Sequence, residues 1–260
     1  MIICSDHNLV FIHIPKAGGS TIRHALREKS TQSLSNKIVE VHGYGPVDIG
    51  HIPLSLMRVE FSDLFETVCR FHSFSLIREP RHRFISSVYQ YFRRQLGTNS
   101  IPASARFFRQ HLPGLQAQLA HAVDTGVWPA PMIHFCPQSS FIYLDGERVV
   151  GDLFDIKDTA GLSRFLQERL AISPSLDEKD ARQRSSFAPS WTRALIGNST
   201  IKGAVRRLPS SIRTRLKARM QAQHDGKALI ESSILENNDM QALFDHAYEF
   251  DKRIYNQAVR

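Results

Sequence analysis

Cysteine is scarce in this 260-residue chain: Cys4, Cys69 and Cys136 are widely spaced and odd in number. They form neither a disulfide framework nor a zinc-ligand spacing, so a reducing compartment is expected. No apolar run reaches the roughly 18 residues a membrane-spanning helix needs. The start of the chain lacks the charged-then-apolar pattern of a secretory signal. Together these read as a cytoplasmic protein, at most resting on the inner face of a membrane. His, Cys and carboxylate residues nowhere cluster at metal-ligand spacing, so no metal is expected. Acidic residues are also short, 25 against 33 Lys and Arg, giving a net charge of +8. The span 189–224 has no Asp or Glu at all. That balance suits an anionic partner without saying which one.

What is present is ordinary for a globular protein: 42% hydrophobic and 22% charged residues. Short apolar runs at 9–14, 37–41, 73–77 and 141–144 read as strands. Helical patterns lie between them at 20–29, 55–65 and 81–95. Strand–helix alternation predicts an α/β fold with a mostly parallel central sheet flanked by helices, in one domain over 1–260. Further helices are expected at 158–171 and 240–259. The latter carries a stripe of Leu243, Phe244, Ala247, Phe250 and Ile254. Proline and glycine breaks make 96–137 a stretch of short helices and loops. Together with 189–224 it is the variable part of the chain.

One strand end matters most. The run 9–14 breaks at Pro15 and is followed by Lys16, Ala17, Gly18, Gly19, Ser20 and Thr21. Glycines let the backbone approach a charged group closely, amides opening a helix point at it, and a lysine adds a mobile full charge. The pattern suits a phosphate-like group; a simple helix-capping turn is the bland reading. In the ATPase loop the lysine follows the glycines, whereas here it precedes them, which counts against ordinary NTP hydrolysis. The layout recurs downstream. The run 73–77 ends at Arg78, Pro80 sets a turn, and a helix carries Ser86. Arginine brings a planar fork of donors and serine a hydroxyl, so Arg78 and Ser86 are a second candidate phosphate grip. The bland reading makes Arg81 and Arg83 solvated surface.

Together the two motifs resemble the sulfotransferases that use 3′-phosphoadenosine 5′-phosphosulfate (PAPS). They are most similar to the carbohydrate branch that includes heparan sulfate 2-O-sulfotransferase and bacterial relatives. The resemblance covers about residues 8–170 and the last 25. It implies a P-loop-NTPase-like sulfotransferase fold, with Lys16 through Thr21 on the 5′-phosphosulfate and Arg78 with Ser86 on the 3′-phosphate. The segment Pro137, Gln138, Ser139 is similar to another family segment. Gly50-His51 matches a family Gly-His whose imidazole is the base. The second histidine of that pattern, two positions earlier, is replaced by Ile49. The implied reaction moves a sulfuryl group from PAPS to a hydroxyl of a carbohydrate or glycolipid, releasing adenosine 3′,5′-bisphosphate, without a metal. His51 takes the hydroxyl proton, as a near-neutral imidazole can, and Lys16 steadies the leaving phosphate. His42, His72, His82 and Glu79 are the reserve bases.

Two rivals stay open: a nucleotide-dependent kinase or NTPase, and a binding protein without turnover. Eight basic residues between 191 and 220 read either as a solvated face or as a clamp for an anionic glycan or membrane-borne sugar. Nucleic acid is not expected, because no aromatics interleave with the charge. The acceptor and the oligomeric state are not legible in the sequence.

Overall fold

The computed structural model describes residues 1–34, 37–97, 105–172, 231–234 and 236–259. The basic run at 191–220, and the variable span 189–224 around it, lie outside the described residues.

Five strands form the central sheet: β1 (Ile2–Cys4), β2 (Leu9–Ile12), β3 (Gln32–Ser33), β6 (His72–Ile77) and β9 (Asp152–Asp155), in the order β3-β1-β2-β6-β9. β2 pairs in parallel with β6, Leu9 opposite His72 and Ile12 opposite Ser75. β6 pairs in parallel with β9, from Phe74 opposite Asp152 to Ile77 opposite Asp155. β1 is antiparallel to both β2 and β3. The sheet is therefore mixed, and the expectation of a mostly parallel one is corrected. Chain length is the cause. β1 and β2 are joined only by a short turn, Ser5–His7, closed by Asn8 with φ 47°. Such a link cannot carry the crossover that parallel neighbours require. The runs at 9–14 and 73–77 do become the two central strands. All four residues of β2 and five of six in β6 are buried, as strands covered on both faces must be.

The other two expected strands leave the sheet. Residues 38–41 form β4 (Ile38–Val41), paired with β5 (Gly45–Asp48) in a separate hairpin. Phe141 belongs to a 3-10 turn, Gln138–Phe141. Only β7 (Tyr143–Leu144) pairs, with β8 (Glu147–Arg148), across Asp145-Gly146. Both linker residues have positive φ, as a tight hairpin turn demands. β9 escaped notice because two of its four residues are aspartates, which strands disfavour.

The helices are α1 (Gly19–Ala25), α2 (Leu54–Glu60), α3 (Ser62–Arg70), α4 (Pro80–Gln95), α5 (Ala105–Thr125), α6 (Thr159–Leu170), α7 (Asn238–Ala247) and α8 (Glu249–Ala258). α4 starts where expected. Pro80 opens it, and the Glu79 carboxylate accepts from the amides of Arg81 and His82 at 3.0 and 2.7 Å. The pattern at 55–65 splits into α2 and α3 at Phe61. The closing pattern at 240–259 splits at Tyr248, whose hydroxyl donates to the Phe135 carbonyl. That break turns the stripe, and Phe250, expected inside, is 40% exposed.

The stretch 96–137 is also corrected. It contains a 21-residue helix, α5, running through Pro113. Phe108, Leu112, Leu115, Leu119 and Ala122 are buried along one face. Burying those side chains at about 1.5–3 kcal/mol for each large one outweighs the roughly 3 kcal/mol of an internal proline. Buried apolar side chains from β1 through α7 make one continuous core. No helix among the described residues is long and apolar enough to cross a membrane.

Candidate functional site

The carboxyl end of β2 leads straight into the Lys16 turn. Ile14 and Pro15 are buried, Lys16 takes φ 64° and Gly18 φ 85°. Alternating backbone hand of this kind turns successive amides to one side, making a concave anion nest. The amides of Gly18, Gly19 and Ser20 find no acceptor among the described residues. Two expected contributors are closed. The Thr21 amide donates to Gly18 O at 3.1 Å, and the Ala17 amide to Ile14 O at 3.4 Å. The Ala17 methyl is buried in the core. The Ser20 and Thr21 hydroxyls carry no hydrogen bond among the described residues. α1 is only seven residues long, so side chains rather than a helix dipole supply most of the positive potential.

Those side chains come from both motifs. β2 and β6 lie side by side, so the two strand ends meet, and Arg78 Nη1 donates to the Lys16 carbonyl at 3.2 Å. The Arg78 backbone is pinned in turn. Its amide donates to Gln138 Oε1 at 3.0 Å, and Gln138 Nε2 donates to its carbonyl at 2.9 Å. Gln138 thus replaces a strand partner beyond the end of β6. Burial pushes the Lys16 ammonium down to about 8, helped by Arg78, Arg93 and Arg94. Every charge that perturbs Lys16 is positive. Ser86 is half-buried on α4 with its hydroxyl unbonded among the described residues.

Arg83 has a different place from the surface one. It is fully buried. Nη1 donates to His134 O at 3.1 Å and Pro15 O at 3.4 Å, Nη2 donates to Cys136 O at 2.7 Å, and the guanidinium lies over the Tyr248 ring. It ties the back of the Lys16 turn to the segment 134–136. Asp251, also buried, accepts from the amides of Gln138 and Ser139 at 2.7 and 2.8 Å.

His51 follows the β4–β5 hairpin in a turn held by Asp48, which accepts from the Gly50 amide with Oδ1 and from the His51 amide with its carbonyl, both at 2.9 Å. His51 Nδ1 lies 2.9 Å from His13 O. A carbonyl only accepts, so Nδ1 carries the proton and Nε2 presents a lone pair. The ring lies tilted against His13, centroids 4.4 Å apart, and sits 6.0 Å from His134. Burial pushes His51 down to about 4, against the support of its bond to His13 O and of Asp48. His134 is pushed down to about 2 by burial, then by Arg94 and Lys16. His13 is also held well below its usual range, chiefly by burial. All three imidazoles are neutral at pH 7.

Position 49 holds Ile, and the histidines nearest His51 in space are His13 and His134. The His13 ring is buried and shapes the site. Arg23 Nη2 donates to its Nδ1 at 3.0 Å, and its ring lies where a Gly19 side chain would be. A Cβ on Gly19 would sit 1.9 Å from His13 Cδ2. Arg93 and Arg94 were missed too, although a signal existed. They stand seven and eight residues after Ser86, on the same helical face. The reserve bases fall elsewhere: His42 is exposed, His72 pairs with Asp152 at 2.6 Å, and His82 contacts the capping Glu79. Among the described residues no three His, Cys, Asp or Glu groups are placed to hold a metal ion. Family models, curated proteins and solved structures contain no match to this chain.

Proposed function

We propose that this protein is a PAPS-dependent sulfotransferase with a P-loop-like sulfotransferase fold, acting on a hydroxyl of a carbohydrate or glycolipid. The observation that carries the reading is the meeting of the two strand ends. Arg78 bonds the carbonyl of Lys16, three amides of the same turn are open among the described residues, and no carboxylate is among the groups that shift Lys16. That donor set fits a nucleotide bearing phosphates at two ends: open amides and Lys16 for the 5′-phosphosulfate, Arg78 and Ser86 for the 3′-phosphate. PAPS, when bound, supplies the sulfuryl group.

The chain's own residues divide the remaining work. His51 Nε2, unprotonated and aimed by the Nδ1 bond to His13 O, takes the acceptor hydroxyl proton as the oxygen bonds to sulfur. The electron pair of the broken sulfur–oxygen bond settles on the phosphate, where Lys16 and the amides of Gly18, Gly19 and Ser20 hold the charge. Positioning and electrostatics carry most of such a transfer, as in phosphoryl transfer.

The test is transfer of labelled sulfate from PAPS to cell-envelope and glycan fractions, beside binding of adenosine 3′,5′-bisphosphate. Transfer by the wild type, lost in His51→Ala with bisphosphate binding intact, is the expected result. Full transfer by His51→Ala removes the base. Stabilisation by ATP with magnesium but not by the bisphosphate replaces the reading with a kinase.

A further inference from the structure

At the end of β6 a side chain takes over the work of a strand. The Ile156 amide still donates to Ile77 O at 3.0 Å, in line with the β9 ladder. One residue later it is Gln138 that meets the Arg78 backbone. Its Oε1 accepts from the Arg78 amide at 3.0 Å, and its Nε2 donates to the Arg78 carbonyl at 2.9 Å. A primary amide, like a peptide, offers an acceptor and a donor side by side. Both contacts are made in only one orientation of that amide, so the residue that carries the guanidinium is held at both ends.

Gln138 is held in its turn. It is buried and opens a 3-10 turn behind Pro137. Its amide and that of Ser139 donate to the two carboxylate oxygens of Asp251 on α8. One helical turn along α8, on the same face, the Tyr255 hydroxyl donates to Asp155 Oδ2 at the end of β9. Asp155 Oδ1 accepts from the Lys157 amide at 2.8 Å. Both oxygens of the carboxylate at the neighbouring strand end are therefore engaged. Arg78 makes no ion pair among the described residues, and its side-chain bond there is Nη1 to Lys16 O. Its backbone is fixed while most of its donors stay uncommitted. A group placed in this way gives up less freedom when it grips an anion.

We propose that Gln138 is a positioning residue for the 3′-phosphate: by holding the Arg78 backbone it aims the guanidinium, and Asp251 on α8 holds Gln138 in place. The inference rests on the donor proposed above, and it gives Gln138 no contact with that donor. Discrimination between nucleotides with and without a 3′-phosphate then depends on a residue 60 positions from Arg78. A purely architectural Gln138 would instead affect every ligand of the cradle alike.

Adenosine 3′,5′-bisphosphate and adenosine 5′-monophosphate are titrated into the full chain by isothermal calorimetry. The proteins are the wild type, Gln138→Met, Gln138→Glu, Arg78→Met and the double variant of Arg78→Met with Gln138→Met, their folds checked by circular dichroism. Gln138→Met adds no charge and removes both contacts. Gln138→Glu keeps an acceptor for the Arg78 amide but, ionised, has no donor for the carbonyl. In the wild type the bisphosphate is expected to bind more tightly than the monophosphate. Each Gln138 variant should lose about tenfold or more for the bisphosphate and less than about threefold for the monophosphate. In the Arg78→Met background, Gln138→Met should cost the bisphosphate less than about threefold, because the group it aims is gone. Either Gln138 variant, once folded, suffices. Equal losses for the two nucleotides, an unchanged bisphosphate affinity, or additive losses in the double variant overturn the proposal and leave the sulfotransferase reading standing. A wild type that binds both nucleotides equally has no 3′-phosphate grip, and then both fall.

Discussion

The pH profile of sulfuryl transfer is the most demanding consequence of the proposed reaction. The perturbation is pH itself, read on two constants. The profile of kcat/KM reports the free protein, and that of kcat reports the loaded one. In the free protein His51 titrates at about 4 and Lys16 at about 8. Activity as kcat/KM therefore rises through about pH 4, when the base becomes neutral, and falls through about pH 8, when the ammonium is lost. At about pH 5.5 an unperturbed histidine is only about one-tenth neutral, whereas His51 is about 97% neutral, a tenfold difference. Binding the anionic donor favours both protonated forms, so both limbs of kcat lie at higher pH than those of kcat/KM. Initial rates of labelled-sulfate transfer measure both constants. Lys16→Arg serves as the control, because a guanidinium does not titrate in this range and the alkaline limb should vanish. Stability needs its own control. The folded pKa of His51 lies below its unfolded 6.5, so its contribution to stability is present above about pH 6.5 and lost as pH falls toward 4. At 1.36 kcal/mol per unit that is about 3 kcal/mol. Circular dichroism at each pH separates unfolding from titration. An acid limb of kcat/KM near 6.5 in folded protein, or kcat limbs displaced to lower pH, would refute the reasoning.

Gly19→Ala puts a methyl 1.9 Å from a ring held by Arg23 and packed against His51; it should cost about 1–3 kcal/mol in thermal unfolding and at least about 100-fold in kcat/KM, because His51 moves with His13. Lys16→Met should raise the melting temperature of the free protein by removing a charge crowded among arginines, yet weaken bisphosphate binding by about tenfold or more in a fluorescence titration. Ser86→Ala should leave melting unchanged and weaken that binding. Ser87→Ala should do the reverse, because the buried Ser87 hydroxyl donates to His134 O at 2.6 Å, a contact worth about 1 kcal/mol.

The strand, turn and helix of both motifs were legible because their information is local. A strand, a proline and a run of small or basic residues fix the turn wherever it is placed, and β2, β6 and α4 fall where the pattern puts them. α6 was equally plain, with Asp158 capping Gly161 at 2.9 Å and Ala171 leaving in the left-handed conformation. What failed was long-range. The antiparallel β1 depends on a turn too short for a crossover. β9 is a strand only because β6 lies beside it. The course of α5 through Pro113 follows from an apolar face, which outweighs one missing hydrogen bond. Arg83 looked like surface because its partners are backbone carbonyls of residues 15, 134 and 136, which carry no sequence signal. His13 and His134 are 38 and 83 positions from His51, and only folding makes them its neighbours.

The arrangement of charges explains why the cradle is left hungry for an anion. A buried guanidinium is usually answered by a carboxylate. Here Arg83 is answered by three carbonyls instead, and the nearby buried acid, Asp251, is occupied by the amides of Gln138 and Ser139. Glu79 is likewise drawn off to cap α4. Asp251 and Glu79 both have structural work, and no carboxylate is among the groups that shift Lys16, although Glu79 and Asp155 act on Arg78. Burial first, and the neighbouring arginines second, lower the pKa of Lys16, and burial is also the main reason that His13, His51 and His134 stay uncharged. Neutral imidazoles add no further repulsion, and they leave one of their number free to accept a proton. Filling the concavity with a multiply charged anion relieves the repulsion at a single step. The same electrostatics that make the empty site unfavourable therefore favour an anion, and they leave the unprotonated imidazole that the proposed transfer needs.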